Sequence, residues 1–211
     1  MPKYVFALSP GRTGSTSFAE ACAHFTNFTS AHESRNSRLG ENRFAYPENH
    51  IESDNRLTWH LGQLAAKYDD QDVFYVHLRR NPEKIAESYA KRWEDVKFKS
   101  SIMRAFANGI IMREGPWEKS RRIDVSRFYV QTVIANTEEF LKNRPHMDVS
   151  LEDGGLSFQE FMKRIGAQGD LDAALATWKT PANTHSDSIA KAKKSLVFKI
   201  KMFIKTLVHP Y

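Results

Sequence analysis

Short apolar runs alternate along the chain with segments whose apolar residues recur every three or four positions, which predicts strands followed by helices. KYVFALS (3–9) and DVFYVHLRR (72–80) read as buried strands, and MDVSLED (147–153) as a third. STSFAEACAHF (15–25) reads as the helix after the first strand, and LTWHLGQLAAKY (57–68) is helical by the spacing of Leu57, Leu61, Leu64 and Ala65. PEKIAESYAKRW (82–93) places Pro82 in a first helical turn, where its missing N–H costs nothing. Residues 98–112 and 126–142 also carry helical spacing, and LSFQEFMKRIG (156–166) is a helix stopped by Gly166. Residues 26–56 are polar with little periodicity and predict a long loop region, a length that is usually functional. Strands alternating with helices predict an α/β fold in three layers, with a central, mostly parallel sheet flanked by helices.

Length and composition leave that picture intact. The 211 residues suit one α/β domain, and 41% apolar with 27% charged residues is ordinary for a globular protein. No apolar run approaches the ~20 residues that cross a bilayer. The first strand begins almost at once, so we expect no secretory leader and a cytoplasmic setting. The single cysteine, Cys22, excludes an internal disulfide and fits a small buried residue on the first helix. The net charge of +6 comes from residues 191–211, which carry six lysines and no acid and leave 25 basic and 25 acidic residues in the remainder. With no basic stripe on the body, nucleic acid is not an expected partner.

The chemistry begins at ALSPGRTGSTSFAEA (7–21). A strand leading through a glycine turn into a helix aims backbone N–H groups and the positive end of the helix dipole at one point, where an anion belongs. An ATP-binding loop, GxxxxGK[ST], would follow its last glycine with lysine; here Gly14 is followed by Ser15 and Thr16, and the cation is Arg12. Thr13, Ser15, Thr16 and Ser17 offer hydroxyls around it. VHLRRNPEKIAESY (76–89) is a second such junction. Its strand ends at Arg79–Arg80, Asn81 is a good N-cap, and Ser88 lies about two turns on, so Arg80 and Ser88 can converge beside the strand's carboxyl end. Either stretch alone also fits an ordinary turn and a capped surface helix. Two such junctions in this order are less easily accidental.

SPGRTGSTSF resembles the phosphosulfate loop of sulfotransferases, P-[KR]-[ST]-G-[ST]-[ST], with Gly11 as one extra residue between Pro10 and Arg12. R-N-P-x-x-x-x-x-S, from Arg80 to Ser88, is similar to the 3′-phosphate motif of the same family. The resemblance implies a P-loop-like fold over residues 1–190 and 3′-phosphoadenosine 5′-phosphosulfate (PAPS) as sulfuryl donor, without a metal. It implies donor contacts from Pro10, Gly11, Arg12, Thr13, Gly14, Ser15, Thr16, Ser17, Arg80 and Ser88. VSLEDGGLSFQEFMKRIGA (149–167) and ANTHS (182–186) resemble later family elements, whereas the Arg-Lys-Gly lid of cytosolic animal members is missing. Arginine at position 12 resembles the bacterial carbohydrate and tyrosylprotein branches more, which names the family and not the substrate; the expected acceptor is a hydroxyl, of a carbohydrate or glycoconjugate.

The family commonly places its general base after the first helix, where TSAHESR (29–35) offers His32 and Glu33. The family's usual base favours Glu33, histidine's ordinary pKa suits His32, and neighbours on an extended segment would face opposite sides. Arg12 would assist catalysis by stabilising the leaving phosphate. His60 is the reserve candidate, and His77 in its apolar strand fits a core histidine. Trp59, Trp93, Trp117 and Trp178 could stack an adenine ring but fit core positions better. Two rival functions stay open at this point: a kinase of a nucleotide or small molecule with a divergent P-loop, and a non-catalytic nucleotide-binding or membrane-associated relative. Residues 191–211 form a basic amphipathic segment that suits either packing on the body or peripheral membrane contact.

Overall fold

The computed structural model describes residues 1–69, 71–94, 102–113 and 115–180. ANTHS and the basic segment 191–211 lie outside the described residues. Five strands, β1 (Tyr4–Leu8), β2 (Thr29–His32), β3 (His50–Ser53), β4 (Val73–Arg79) and β5 (His146–Ser150), form one sheet in the order β2-β3-β1-β4-β5. All four pairings are parallel. The chain moves from β1 to the β2 edge, returns to β3 beside β1, and then crosses to β4 on β1's other side. The carboxyl end of β1 is therefore the point where strand order reverses, the place where open α/β sheets bind ligands.

Alternation along β1 divides the core. Val5 and Ala7 face a cluster with Phe18, Cys22, Phe158, Phe161 and Trp178, carried by α1 (Ser15–Cys22), α6 (Leu156–Ile165) and α7 (Leu171–Lys179). Tyr4, Phe6 and Leu8 face the opposite layer, which includes Leu64 and Tyr68 of α2 (Leu61–Tyr68) and Leu141 of α5 (Arg122–Leu141). A third cluster joins α3 (Pro82–Lys91), α4 (Ile102–Ala105) and α5 through Ile85, Tyr89, Met103, Tyr129 and Val133. The expected three-layer α/β architecture is present. Cys22 is buried in the first cluster, where burial pushes its thiol up.

Several expectations need correction. Residues 26–56 contain two of the five strands, β2 and β3, as well as a short 3₁₀ turn at Gly40–Arg43. Both strands are four residues long, and β3 reads His-Ile-Glu-Ser with all four side chains buried, so no apolar alternation marks it. Its polar groups pair with one another: Glu52 accepts from the Ser34 backbone N–H at 2.9 Å and lies 3.2 Å from His50 Nε2. Arg43 Nη2 meets Asp54 at 2.5 Å, with both side chains buried. The helix expected over 57–68 is broken at His60, because Asp54 caps a 3₁₀ turn (Asn55–Trp59) through the Arg56 N–H before α2 begins. In the 98–112 stretch the described part passes from α4 into a wider π turn at Phe106–Ile110. The strand expected to run on to Asp153 stops at Ser150.

Candidate functional site

The turn between β1 and α1 is backbone-driven. Gly11, Arg12 and Gly14 have φ of 84°, 62° and 86°, all in the left-handed region. At Gly11 a Cβ would stand 2.5 Å from the Tyr89 hydroxyl and 2.7 Å from Asn55 Nδ2. At Gly14 it would stand 2.9 Å from Leu151. Both positions need glycine for space as well as for φ. Arg12 has no such freedom, and a left-handed non-glycine residue costs on the order of 1–2 kcal/mol. Its contacts hold it there. The Arg12 Nε donates to Ser88 Oγ at 3.0 Å, and the Arg12 carbonyl accepts from Arg80 Nη1 at 2.9 Å. The two junctions singled out in the sequence thus meet at one residue.

The loop is also braced from behind. The Pro10 carbonyl accepts from the hydroxyls of Tyr89 at 2.6 Å and Tyr129 at 2.8 Å, and the Gly11 N–H donates to Ser9 Oγ. Burial pushes the Tyr89 hydroxyl up to about 12 and that of Tyr129 well above its ordinary value, so both remain protonated donors. The extra glycine, Gly11, lies where Tyr89 and Asn55 press against the loop. Among the described residues no side chain caps the N-terminus of α1, and the first-turn N–H groups, starting at Ser15, present their partial positive charge at the carboxyl end of the sheet. The Thr13 hydroxyl is fully buried and has no hydrogen-bond partner among the described residues, a polar atom inside the turn that a ligand could satisfy. Ser17 is turned elsewhere, donating to the Thr180 carbonyl at 3.4 Å.

The two candidate bases separate at the end of β2. His32 is the last strand residue, and its Nε2 lies 3.1 Å from Ser15 Oγ in the first turn of α1. Glu33 has φ of 52°, so the simple alternation expected of an extended segment stops there. Its carboxylate pairs with Arg56 Nη1 at 2.7 Å, while its N–H donates to the Ser53 carbonyl. His60 sits at the break before α2 with its ring edge-on to Phe44. His77 is 2% exposed on β4, and burial lowers it to about 4. Trp178 is core, Trp93 is buried in the third cluster, and Trp59 and Trp117 pack against that cluster. Among the described residues no group of three or more His, Cys, Asp or Glu side chains could hold a metal ion.

Sequence reasoning missed Tyr89, Tyr129, Asn55 and Arg56. Tyr89 stands beside Ser88 and could have been noticed from the helix face. Tyr129 lies 119 residues from Pro10 in the chain, and no local spacing points to it.

No protein-family model matches the chain, and no curated protein matches it in sequence. In three dimensions it is similar to a sulfotransferase domain from the curacin biosynthetic pathway, with a TM-score of 0.54 and 11% identity over 87% of this chain and 79% of that one. The likeness extends the α/β, P-loop-like description to nearly the whole described chain. Among the described residues no helix is long and apolar enough to cross a membrane.

Proposed function

We propose that this chain is a sulfotransferase that moves a sulfuryl group from PAPS to an acceptor hydroxyl, for which the family resemblance favours a carbohydrate or glycoconjugate. The observation that carries the proposal is the meeting of the two junctions at Arg12, through Ser88 and Arg80, at the switch point of the sheet. The sulfotransferase fold of a solved structure supports it.

PAPS, when bound, supplies the activated sulfuryl group and departs as adenosine 3′,5′-bisphosphate. The uncapped α1 N-terminus and Thr13 suit the phosphosulfate end, and Arg12 offsets the negative charge that collects on the leaving phosphate. Ser88 accepts from Arg12, which leaves its own hydroxyl hydrogen to donate, and Arg80 keeps N–H groups beyond the one given to the Arg12 carbonyl. Both can therefore hold a 3′-phosphate. We assign the base to His32, because its Nε2 is at the cradle, whereas the Glu33 carboxylate is paired with Arg56. His32 takes the proton of the acceptor hydroxyl as its oxygen gains the sulfuryl group. Glu33 and Arg56 then fix the chain just after His32.

Thermal shift with adenosine 3′,5′-bisphosphate, adenosine 5′-monophosphate and ATP with magnesium tests the donor. The bisphosphate should stabilise the protein most. Equal stabilisation by the monophosphate removes the role of Arg80 and Ser88, and preference for ATP with magnesium favours a kinase.

A further inference from the structure

A cavity of about 470 Å³ lies in the helical layer, at the end of α3 and the start of α5, within the size range of small-molecule sites. Among the described residues three arginines line it, Arg104, Arg113 and Arg122, with one acid, Glu94. Arg122 is already committed. Its Nη2 pairs with Glu94 at 2.5 Å and its guanidinium lies 5.7 Å from the Trp93 ring. Arg104 and Arg113 have no acidic partner among the described residues. Arg113 is poised 4.4 Å over the Trp117 ring, whose Nε1 donates to the Ala107 carbonyl. Trp117 is thereby fixed as a flat wall under a cation.

The cavity shares its helices with the brace behind Pro10. Trp93 follows Tyr89 by four residues, about one helical turn, and Phe106 of the adjoining π turn packs edge-on to Tyr129 at 5.4 Å. Tyr89 and Tyr129 both donate to the Pro10 carbonyl of the loop. A molecule held in the cavity is therefore anchored on the helices that brace the loop.

We propose that this cavity binds an acceptor that carries an oxyanion, a carboxylate or a sulfate or phosphate ester, next to a flat apolar face, with Arg104 and Arg113 reading the anion and Trp117 the face. The inference rests on the sulfotransferase reading and narrows its acceptor to anionic molecules. Charge-assisted hydrogen bonds from arginine to an oxyanion are strong and directional, so a neutral analogue of the same shape forfeits them.

Two small saccharides test this without any donor: p-nitrophenyl β-D-glucuronide and p-nitrophenyl β-D-glucoside, which differ by a carboxylate. Calorimetric titration into the full chain should find the glucuronide binding about tenfold or more tighter. Arg113→Gln and Arg104→Gln should each shrink that preference, and raising salt from about 0.05 M to about 0.5 M should weaken it. Arg113 lies on an exposed stretch, so its variant reports even if Arg104→Gln fails to fold. Equal binding of the two saccharides, binding of neither, or a preference unchanged in Arg113→Gln overturns the proposal. Titration of adenosine 3′,5′-bisphosphate into the same samples separates the two readings. Bisphosphate binding without glucuronide binding ends the anionic acceptor and leaves the donor assignment standing. Glucuronide binding without bisphosphate binding keeps the oxyanion pocket and ends the donor assignment.

Discussion

The strands on either side of β1 end in opposite ways. β3 runs out through Glu52, Ser53 and Asp54, each 0% exposed, and its charges are answered inside the protein by His50, Ser34 and Arg43. Burial raises the Asp54 carboxyl although Arg43 opposes it. β4 runs out through Arg79, Arg80 and Asn81, half-buried or exposed, where Arg80 supports the loop and Asn81 caps α3. Charge on the β3 side is answered inside the protein; charge on the β4 side includes Arg80, which the proposed function gives to the ligand. The difference separates residues whose loss should unfold the protein from those whose loss should only empty its site.

His32, at the end of the edge strand β2, lies against the first turn of α1, and altering it should have the largest effect. His32→Asn should cut sulfuryl transfer by about 10²–10⁴-fold in single-turnover assays at saturating PAPS, with bisphosphate affinity nearly unchanged. Glu33→Gln should cost less. If Glu33→Gln is the more damaging variant, the base belongs to Glu33. Arg43→Met should leave Asp54 buried and unpaired and destabilise the fold by about 3–5 kcal/mol in urea titrations. Bisphosphate affinity of the folded fraction should hold. A stable Arg43→Met protein would mean that the β3 charges are not structural.

A pH experiment places β4 in the same comparison. His77, on that strand near Arg79, Asp148, Glu138 and His146, takes up a proton near 6.5 when unfolded but only near 4 when folded. The unfolded state binds more protons across that interval, so stability falls as pH drops from about 6.5 to about 4. The loss attributable to His77 approaches about 3 kcal/mol. His77→Gln should remove that component, read as the difference between the two proteins' unfolding curves. Identical pH profiles would show that His77 is not held neutral by its surroundings. The smallest effect expected is on the ligand-facing side: Arg80→Ala should weaken bisphosphate binding by about ten- to a hundred-fold, roughly 1.5–3 kcal/mol, and leave unfolding much less affected than Arg43→Met. Comparable loss of stability in the two variants would erase the distinction between the strand ends.

β1, β4 and the helices α1, α3 and α6 were legible because each carries its own period, and Asn81–Pro82 and Gly166 mark their limits. β2 and β3 were not, since β3 buries His, Glu and Ser with a single Ile, and β2, Thr-Ser-Ala-His, buries none of its residues, so neither carries an apolar signature. Their membership of the sheet depends on partners elsewhere in the chain, among them Ser34 and the paired strand β1. At the candidate site, Gly11, Arg12 and Gly14 were visible as a turn, and Arg80 and Ser88 as a helix face. Tyr129, Asn55 and Arg56 were invisible because their roles arise only when α5 and the end of β3 close on the loop.

The amino-acid sequence by itself determined the anion-directed turn: two glycines and the hydroxyl-bearing start of α1 are local requirements of backbone shape, and a few adjacent residues satisfy them. Only the tertiary structure decided what holds Arg12 in a left-handed conformation, and which of His32 and Glu33 has its side chain turned to the cradle. Those outcomes depend on hydrogen bonds and ion pairs between distant segments, whose strength comes from burial, and burial exists only once the sheet and its three apolar clusters have formed.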